Sequence, residues 1–126
     1  MEMHKDLPVF TFKNQRECLD WLKKHHGQEG AVWFKFAKKA ANIPSVTYAE
    51  AREAAIMYGW IDGLKNTYDE NFYVLRFTAR RPKSKWSKIN RGIAEELMKS
   101  GKMKAAGQKE VDAARKDGRW EEALKA

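Results

Sequence analysis

The fold is decided by residues 60–78, WIDGLKNTYDENFYVLRFT. Two apolar runs, at 60–65 and 72–78, are separated by a polar loop around NTYDEN. Runs of this length that are rich in aromatic and branched residues are typical of β-strands, and the polar connection predicts an antiparallel hairpin. Because Pro82 cannot donate a hydrogen bond to a sheet, we expect the second strand to end near Thr78.

Strand and helix patterns flank this hairpin on both sides. The segment AVWFKFA at 31–37 predicts another strand, with Val32, Phe34 and Phe36 on one face, and VFTF at 9–12 is read as an optional short leading strand. Periodic apolar residues and capping signals predict four helices, at about 15–26, 48–58, from Ser84 or Ser87 to about 100, and 104–116. The predicted class is therefore α+β, a small, mostly antiparallel sheet of about three to four strands covered by about four helices.

Length and composition bound the organisation of the chain. With 126 residues, 43% of them hydrophobic, the chain is long enough for one core and too short for two. Residues 1–9, which include Pro8, are predicted to form a flexible N-terminal arm, and residues 10–126 a single domain. We find no run long enough to span a bilayer, no signal-peptide pattern and a single cysteine, Cys18, so we expect a cytoplasmic protein.

Positive charge is concentrated in one segment. The formal net charge is +8, and residues 71–91 carry seven basic side chains and no acidic one. Elsewhere the two signs roughly balance. The net positive charge favours polyanionic partners, which include nucleic acid and anionic small molecules.

Several motifs in fixed order resemble the YdeI/OmpD-associated family, also described as bacteriocin-protection proteins. They are YGWIDG at 58–63, LRFTARRPKSKWSKINR at 75–91, SGKM at 100–103 and DGRWEEA at 117–123. The resemblance covers the chain from about residue 10 to the end, and it implies a small stress-protection module to which no catalytic residues are firmly assigned. Longer members of that family carry a further C-terminal segment, which this chain, ending at Ala126, lacks.

The basic segment has two interpretations. As a phosphate-binding surface it would present a set of cations, with Trp86 stacked on a base. As a structural element it would be a strand end, a proline corner and a helix start, with Trp86 in the core and the cations solvated. Lys85 and Lys88 lie where a helix N-terminus disfavours positive charge, and a bound anion or a nearby carboxylate would resolve that conflict. The candidate cations are Arg76, Arg80, Arg81, Lys83, Lys85, Lys88 and Arg91.

The YGWIDG motif supplies three further candidates, Tyr58, Trp60 and Asp62. An aspartate among aromatic residues would act as an acid or base if its apolar neighbours raised its pKa. Alternatively, Asp62 pairs with an arginine such as Arg76 or Arg80, because a buried charge requires a partner.

The sequence contains no zinc-ligand spacing, no glycine-rich phosphate loop and no G-x-S-x-G motif, so we expect no metal and no cofactor. Three functions remain open. The first is a non-catalytic binding or stress-protection module with a basic anion-binding surface. The second is a nucleic-acid-binding protein that uses the Arg/Lys segment at 76–91. The third is an enzyme acting on an anionic small molecule, with Asp62 as acid or base and Arg76 or Arg80 as the anion clamp.

Overall fold

The computed structural model describes residues 1–125 and has an α+β fold built on a five-stranded sheet. The strand order is β1-β2-β3-β5-β4, so β4 forms one edge of the sheet and β1 the other. The strands are β1 (Met3–His4), β2 (Leu7–Thr11), β3 (Val32–Ala37), β4 (Trp60–Thr67) and β5 (Phe72–Ala79). The helices are α1 (Gln15–His25), α2 (Tyr48–Met57), α3 (Lys88–Lys99), α4 (Ala105–Lys116) and α5 (Arg119–Glu122), with two 3₁₀ turns at Lys39–Ala41 and Ala123–Lys125.

The coarse class predicted from the sequence is confirmed, and its details need correction. The sheet has five strands rather than three to four, and it is mixed, because β2 pairs parallel with β3 across the α1 connection. The other pairs are antiparallel, including the predicted β4–β5 hairpin. The fifth helix, α5, contains only four residues, too few for a periodic apolar pattern to reveal it.

The sequence predicted a flexible N-terminal arm at residues 1–9. The structure instead places most of these residues in the first two strands of the sheet. Met3 and His4 pair with Pro8 and Leu7 in a hairpin that continues the sheet. Its two turn residues, Lys5 and Asp6, both have positive φ, 45° and 66°. Such turns usually contain glycine or asparagine, and the absence of that signal is why the hairpin was not predicted.

One core lies between the sheet and the helices. The alternation in β3 places Val32, Phe34 and Phe36 in this core, as predicted, together with Trp60 of β4 and Phe77 of β5. The opposite face of the sheet carries a smaller apolar cluster of Val9, Trp33 and Val74. Two helices begin at predicted capping residues: Thr47 and Glu50 form a capping box for α2, and Ser87, one of the two serines proposed, caps α3.

Helix α4 reaches the core through a close backbone contact. A Cβ atom at Gly107 would overlap the carbonyl oxygens of Ile56 and Met57 at the end of α2. Gly59, just beyond that helix, has φ +76°, and a Cβ there would lie 2.9 Å from the carbonyl oxygen of Ala106. Only glycine permits this approach, which holds α4 and its Glu110 against the end of α2.

Candidate anion-binding cleft

The basic segment folds as a strand end, a turn and a helix start. β5 ends at Ala79, and the backbone N–H of Ser84 donates to the carbonyl of Arg81 at 3.0 Å, which closes a turn around Pro82 and Lys83. Lys83 adopts φ 65°, a left-handed conformation that lysine rarely takes. On the two sides of this turn, some candidate cations donate hydrogen bonds to backbone carbonyls of the protein, whereas others face solvent.

Arg80 belongs to the first group. It is 7% exposed, its guanidinium lies 3.9 Å from the ring centre of Trp86, and its Nη2 donates to the Lys85 carbonyl at 2.9 Å. Burial lowers the pKa of Arg80 to about 10, partly offset by the carboxylate of Glu110. The side chain is therefore still a cation at neutral pH, held inside the protein.

Two tryptophans bind the segment to the C-terminal helix. Trp86 is 4% exposed and meets Trp120 edge to face, with ring centres 5.1 Å apart. Arg91 lies over Trp120 at 5.0 Å and donates to its carbonyl, and Nη1 of Arg119 donates to the carbonyl of Ser84 at 2.6 Å. The segments RPKSKWSKINR and DGRW are thus in contact in the folded chain.

These contacts place three of the candidates, Trp86, Arg80 and Arg91, in interactions within the fold. Trp86 is only 4% exposed and packs against Arg80 and Trp120, so it does not present an open ring on which a base could stack. Arg80 and Arg91 donate to backbone carbonyls and stack on indole rings, so their charge is used within the fold. These side chains are anchors of the 80–91 segment rather than parts of an open binding surface.

Tyr58 and Trp60 also lie in the core. Trp60 is fully buried, and its indole N–H donates to the His26 carbonyl at 2.8 Å. Tyr58 is 8% exposed and packs on the His26 ring, and burial raises its pKa. Neither side chain is exposed enough to contact a ligand, because both are packed at the junction between α2 and β4.

Three cations converge at a cleft of about 400 Å³ beside the β4–β5 hairpin. Arg76 comes from β5, whereas Arg81 and Lys83 come from the turn that follows it. None of the three forms an ion pair within residues 1–125. The rest of the wall mixes apolar and polar groups, and it is formed by Ile61, Asp62, Gly63, Leu64, Thr78, Ala79, Pro82 and Ser84.

A β-bulge shapes one wall of this cleft. Asp62 pairs with Phe77 and Lys65 with Leu75, so two residues of β4, Gly63 and Leu64, lie opposite the single residue Arg76. Leu64 is 59% exposed. The bulge places an open apolar side chain beside a cation at the edge of the sheet.

Asp62 is half-buried, and its hydrogen-bond partner is a phenol rather than an arginine. The hydroxyl of Tyr48 donates to its carboxylate at 2.7 Å, and Arg52 stacks over the Tyr48 ring at 4.9 Å. Burial and the Asp62 carboxylate raise the pKa of Tyr48, which keeps this phenol protonated. The expected salt bridge from Asp62 to Arg76 or Arg80 does not form in the part of the chain that the structure describes.

Lys85 and Lys88 lie apart from this cleft. Lys85 lines a smaller cavity of about 270 Å³ with Trp86, Arg119, Glu122 and Lys125, where Glu122 supplies a nearby carboxylate. Lys88 is exposed in the first turn of α3, which contains no acidic residue. The eleven candidates therefore divide among the cleft beside the hairpin, the protein interior, the smaller cavity and a solvated helix start.

A second cavity, of about 660 Å³, was not predicted from the sequence. Its aromatic residues are Phe36, Tyr48 and Tyr73, and Lys38 and Lys39 are among its other lining residues. Tyr48 links the two sites, since its ring lines this cavity and its hydroxyl binds Asp62. The available signal was the inward position of Tyr48 on the α2 stripe, because a buried phenol needs a hydrogen-bond partner.

The described residues give little support to metal binding, to a reactive thiol or to a membrane-spanning helix. Within residues 1–125, no group of three His, Cys, Asp or Glu side chains is arranged to hold a metal ion. Burial raises the pKa of Cys18 to about 12, so its thiol is protonated at neutral pH. Over the same range, no helix is both long enough and apolar enough to cross a bilayer.

Comparison with known proteins identifies one family. Searches of curated proteins and of solved structures gave no match. A family model described as Domain of unknown function (DUF8412) matches residues 10–110, which include β3, β4, β5 and the cleft. Because this match covers most of the chain, the protein belongs to the DUF8412 family.

Proposed function

We propose that this protein is a small binding module that takes an anionic ligand in the cleft beside the β4–β5 hairpin. The observation that carries the proposal is the convergence of Arg76, Arg81 and Lys83 on one cleft without an ion-pair partner among residues 1–125. A cleft of about 400 Å³ lies in the size range of small-molecule sites.

The backbone of Lys83 supports this proposal. A lysine at φ 65° costs free energy that glycine or asparagine would avoid. Such strained positions cluster at binding sites, where the side chain is needed for more than stability. The turn carries a cationic side chain despite this conformational cost, which supports a role in binding.

Charge balance at the cleft favours an anion. The one carboxylate in the cleft wall, Asp62, already accepts a hydrogen bond from Tyr48. Three cations thus face one carboxylate, in a protein of net charge +8. The resemblance to the YdeI/OmpD-associated family adds a biological setting, and we propose that binding serves stress protection.

The test is a titration of ¹⁵N-labelled protein with inorganic pyrophosphate at low ionic strength. We expect saturable amide shifts confined to 61–64 and 76–84, lost in the triple variant Arg76→Gln, Arg81→Gln, Lys83→Gln. The control is Lys24→Gln, Lys99→Gln, Lys109→Gln, which removes the same charge from exposed helical positions. Equal loss of binding in both triple variants would show that net charge, and not the cleft, attracts the anion.

A second candidate function is an enzyme acting on an anionic small molecule. The observation that favours it is the presence of Asp62 and Arg76 in the wall of one cleft, which brings an acid or base beside an anion clamp. A panel of small phosphate and carboxylate esters tests this function. Turnover that disappears in Asp62→Asn while pyrophosphate binding persists would favour the enzyme over the binding module.

Nucleic-acid binding by the 76–91 segment is the remaining alternative. Its expected stacking residue, Trp86, is buried, and the segment's cations do not form one surface: three line the cleft, Arg80 is buried, and Lys85 and Lys88 are exposed elsewhere. Anisotropy of a labelled oligothymidylate measures this alternative directly. Affinity that falls steeply with salt and is lost on changing Arg81 and Lys83 to Glu would support it.

A further inference from the structure

The cleft lies against the open edge of the sheet. β4 is the last strand in the order β1-β2-β3-β5-β4, and no strand within residues 1–125 pairs with its outer side. The backbone N–H and C=O groups on that side therefore have no partner strand, which is the condition for adding one. The opposite edge is β1, which has two residues and is too short to offer the same surface.

The same residues form both the edge and the cleft wall. Ile61, Gly63 and Leu64 belong to β4 and line the cleft. A chain added along β4 would project alternate side chains to opposite faces. One set of these side chains would enter the cleft beside Arg76, and the bulge at Gly63 and Leu64 provides an exposed apolar contact next to it.

Charge selects among the possible occupants of this edge. A second copy of the chain would bring two molecules of net charge +8 together with their cationic clefts adjacent, which is electrostatically unfavourable. No aromatic side chain lines the cleft to stack on nucleic-acid bases. An extended peptide with acidic residues at alternate positions satisfies both the open backbone groups and the three cations.

We propose that β4 accepts such an acidic peptide as an added strand, with its acidic side chains bound by Arg76, Arg81 and Lys83. This inference rests on the proposed anion-binding function and names its partner class. Main-chain hydrogen bonds to β4 would supply part of the affinity, and the cations would supply selectivity for acidic side chains. Exposed Leu64 would add an apolar contact to a neighbouring peptide side chain.

The test uses an end-blocked peptide of about eight residues that alternates glutamate and valine. Two further peptides carry backbone N-methyl groups on alternate residues, one on each side of the strand. Strand addition predicts that one N-methylated peptide binds at least about tenfold more weakly, while the other retains most of its affinity. It also predicts amide shifts that run along 60–67, beyond those seen with pyrophosphate.

The outcomes separate the two proposals. If pyrophosphate binds and both N-methylated peptides bind like the parent, the cleft binds anions but β4 does not accept a strand. If neither pyrophosphate nor any peptide binds, both proposals fail. Tighter binding of oligothymidylate than of the peptide at equal salt overturns the peptide assignment. Binding of the parent peptide that is lost in the Arg76, Arg81, Lys83 triple variant, with the N-methyl asymmetry, supports it.

Discussion

Arg80 and Arg81 are adjacent in the chain, and the fold uses them in opposite ways. Arg80 is 7% exposed, stacks on Trp86 and donates to a backbone carbonyl. Arg81 is exposed and lines the cleft with Lys83. The alternation at the end of β5 and the turn at Pro82 separate them. Charge density along a sequence therefore locates a basic segment without saying which of its cations are free to bind.

Other cations in and near the 76–91 segment differ in the same way. Arg91 and Arg119 donate to the carbonyls of Trp120 and Ser84 and hold the C-terminal helix in place. Arg76 and Lys83 have no such partner among residues 1–125. One set of cations makes contacts within the fold, and the other set lines the cleft that we propose binds a ligand. Substitutions in the two sets should separate stability from binding.

The largest expected difference is between Arg80→Ala and Arg81→Ala. Losing the stacked, hydrogen-bonded guanidinium of Arg80 should lower the free energy of unfolding by about 2–4 kcal/mol. Arg81→Ala should change it by less than about 0.5 kcal/mol, because Arg81 is exposed. Urea unfolding of both variants measures the difference. Arg80→Met, which keeps much of the volume, should recover part of the loss. Equal losses of unfolding free energy in Arg80→Ala and Arg81→Ala would contradict the distinction between a buried, structural Arg80 and an exposed Arg81.

An effect of intermediate size on the free energy of unfolding is expected from the buried thiol of Cys18, which is an acid, whereas Arg80 is a base. Burial raises the pKa of Cys18 from 9.0 to about 12, whereas burial lowers that of Arg80. The unfolded chain ionises this thiol first, so its contribution is complete below pH 9 and is lost as the pH rises towards 12. Between pH 8 and about 10.5 the loss should reach roughly 2 kcal/mol.

Cys18→Val is the matched control for this effect, because valine has a similar size and does not ionise. The stability advantage of the natural protein over this variant should shrink by that amount between pH 8 and about 10.5, measured by urea unfolding. A constant difference across this range would mean that the thiol is not shielded as the structure indicates.

The smallest expected effect has opposite signs for stability and binding. Lys83→Gly should raise the free energy of unfolding by about 0.5–1 kcal/mol, because glycine adopts φ 65° without strain. The same change removes a cleft cation and should weaken pyrophosphate binding. Lys85→Gly is the control, since Lys85 is exposed, does not have a positive φ and lies outside this cleft. Glycine there should lower stability and leave binding unchanged.

Much of the fold could be predicted from local signals. The hairpin at 60–78, the strand at 31–37 and the cap at Thr47 all follow from residue types at short range, whereas the cap of α3 could be narrowed only to Ser84 or Ser87, of which the structure uses Ser87. The parallel pairing of β2 with β3 depends on a contact across α1, which periodicity does not encode. The Lys5–Asp6 turn lacks the usual residues for its backbone conformation.

The site was harder to predict than the fold. All three cleft cations were among the candidates, but nothing in the sequence separated them from Arg80 or Arg91. The separation depends on where Trp86 and Trp120 pack, which is a long-range contact. The bond between Tyr48 and Asp62 joins α2 to β4, and the bulge at Gly63 shifts the register by one residue. Sequence reasoning could place residues on elements but not resolve such contacts between them.

The Trp86–Trp120 pair gives the protein an internal optical probe. Two indoles with ring centres 5.1 Å apart and planes inclined at 73° are close enough for their electronic transitions to couple. Such coupling produces paired bands of opposite sign in circular dichroism that vanish when the rings separate. Trp21 and Trp60 form a second close pair, with ring centres 5.6 Å apart. Because Trp86 precedes α3 and Trp120 lies in α5, the bands recorded in a Trp21→Phe background would report undocking of the C-terminal helix without any added label.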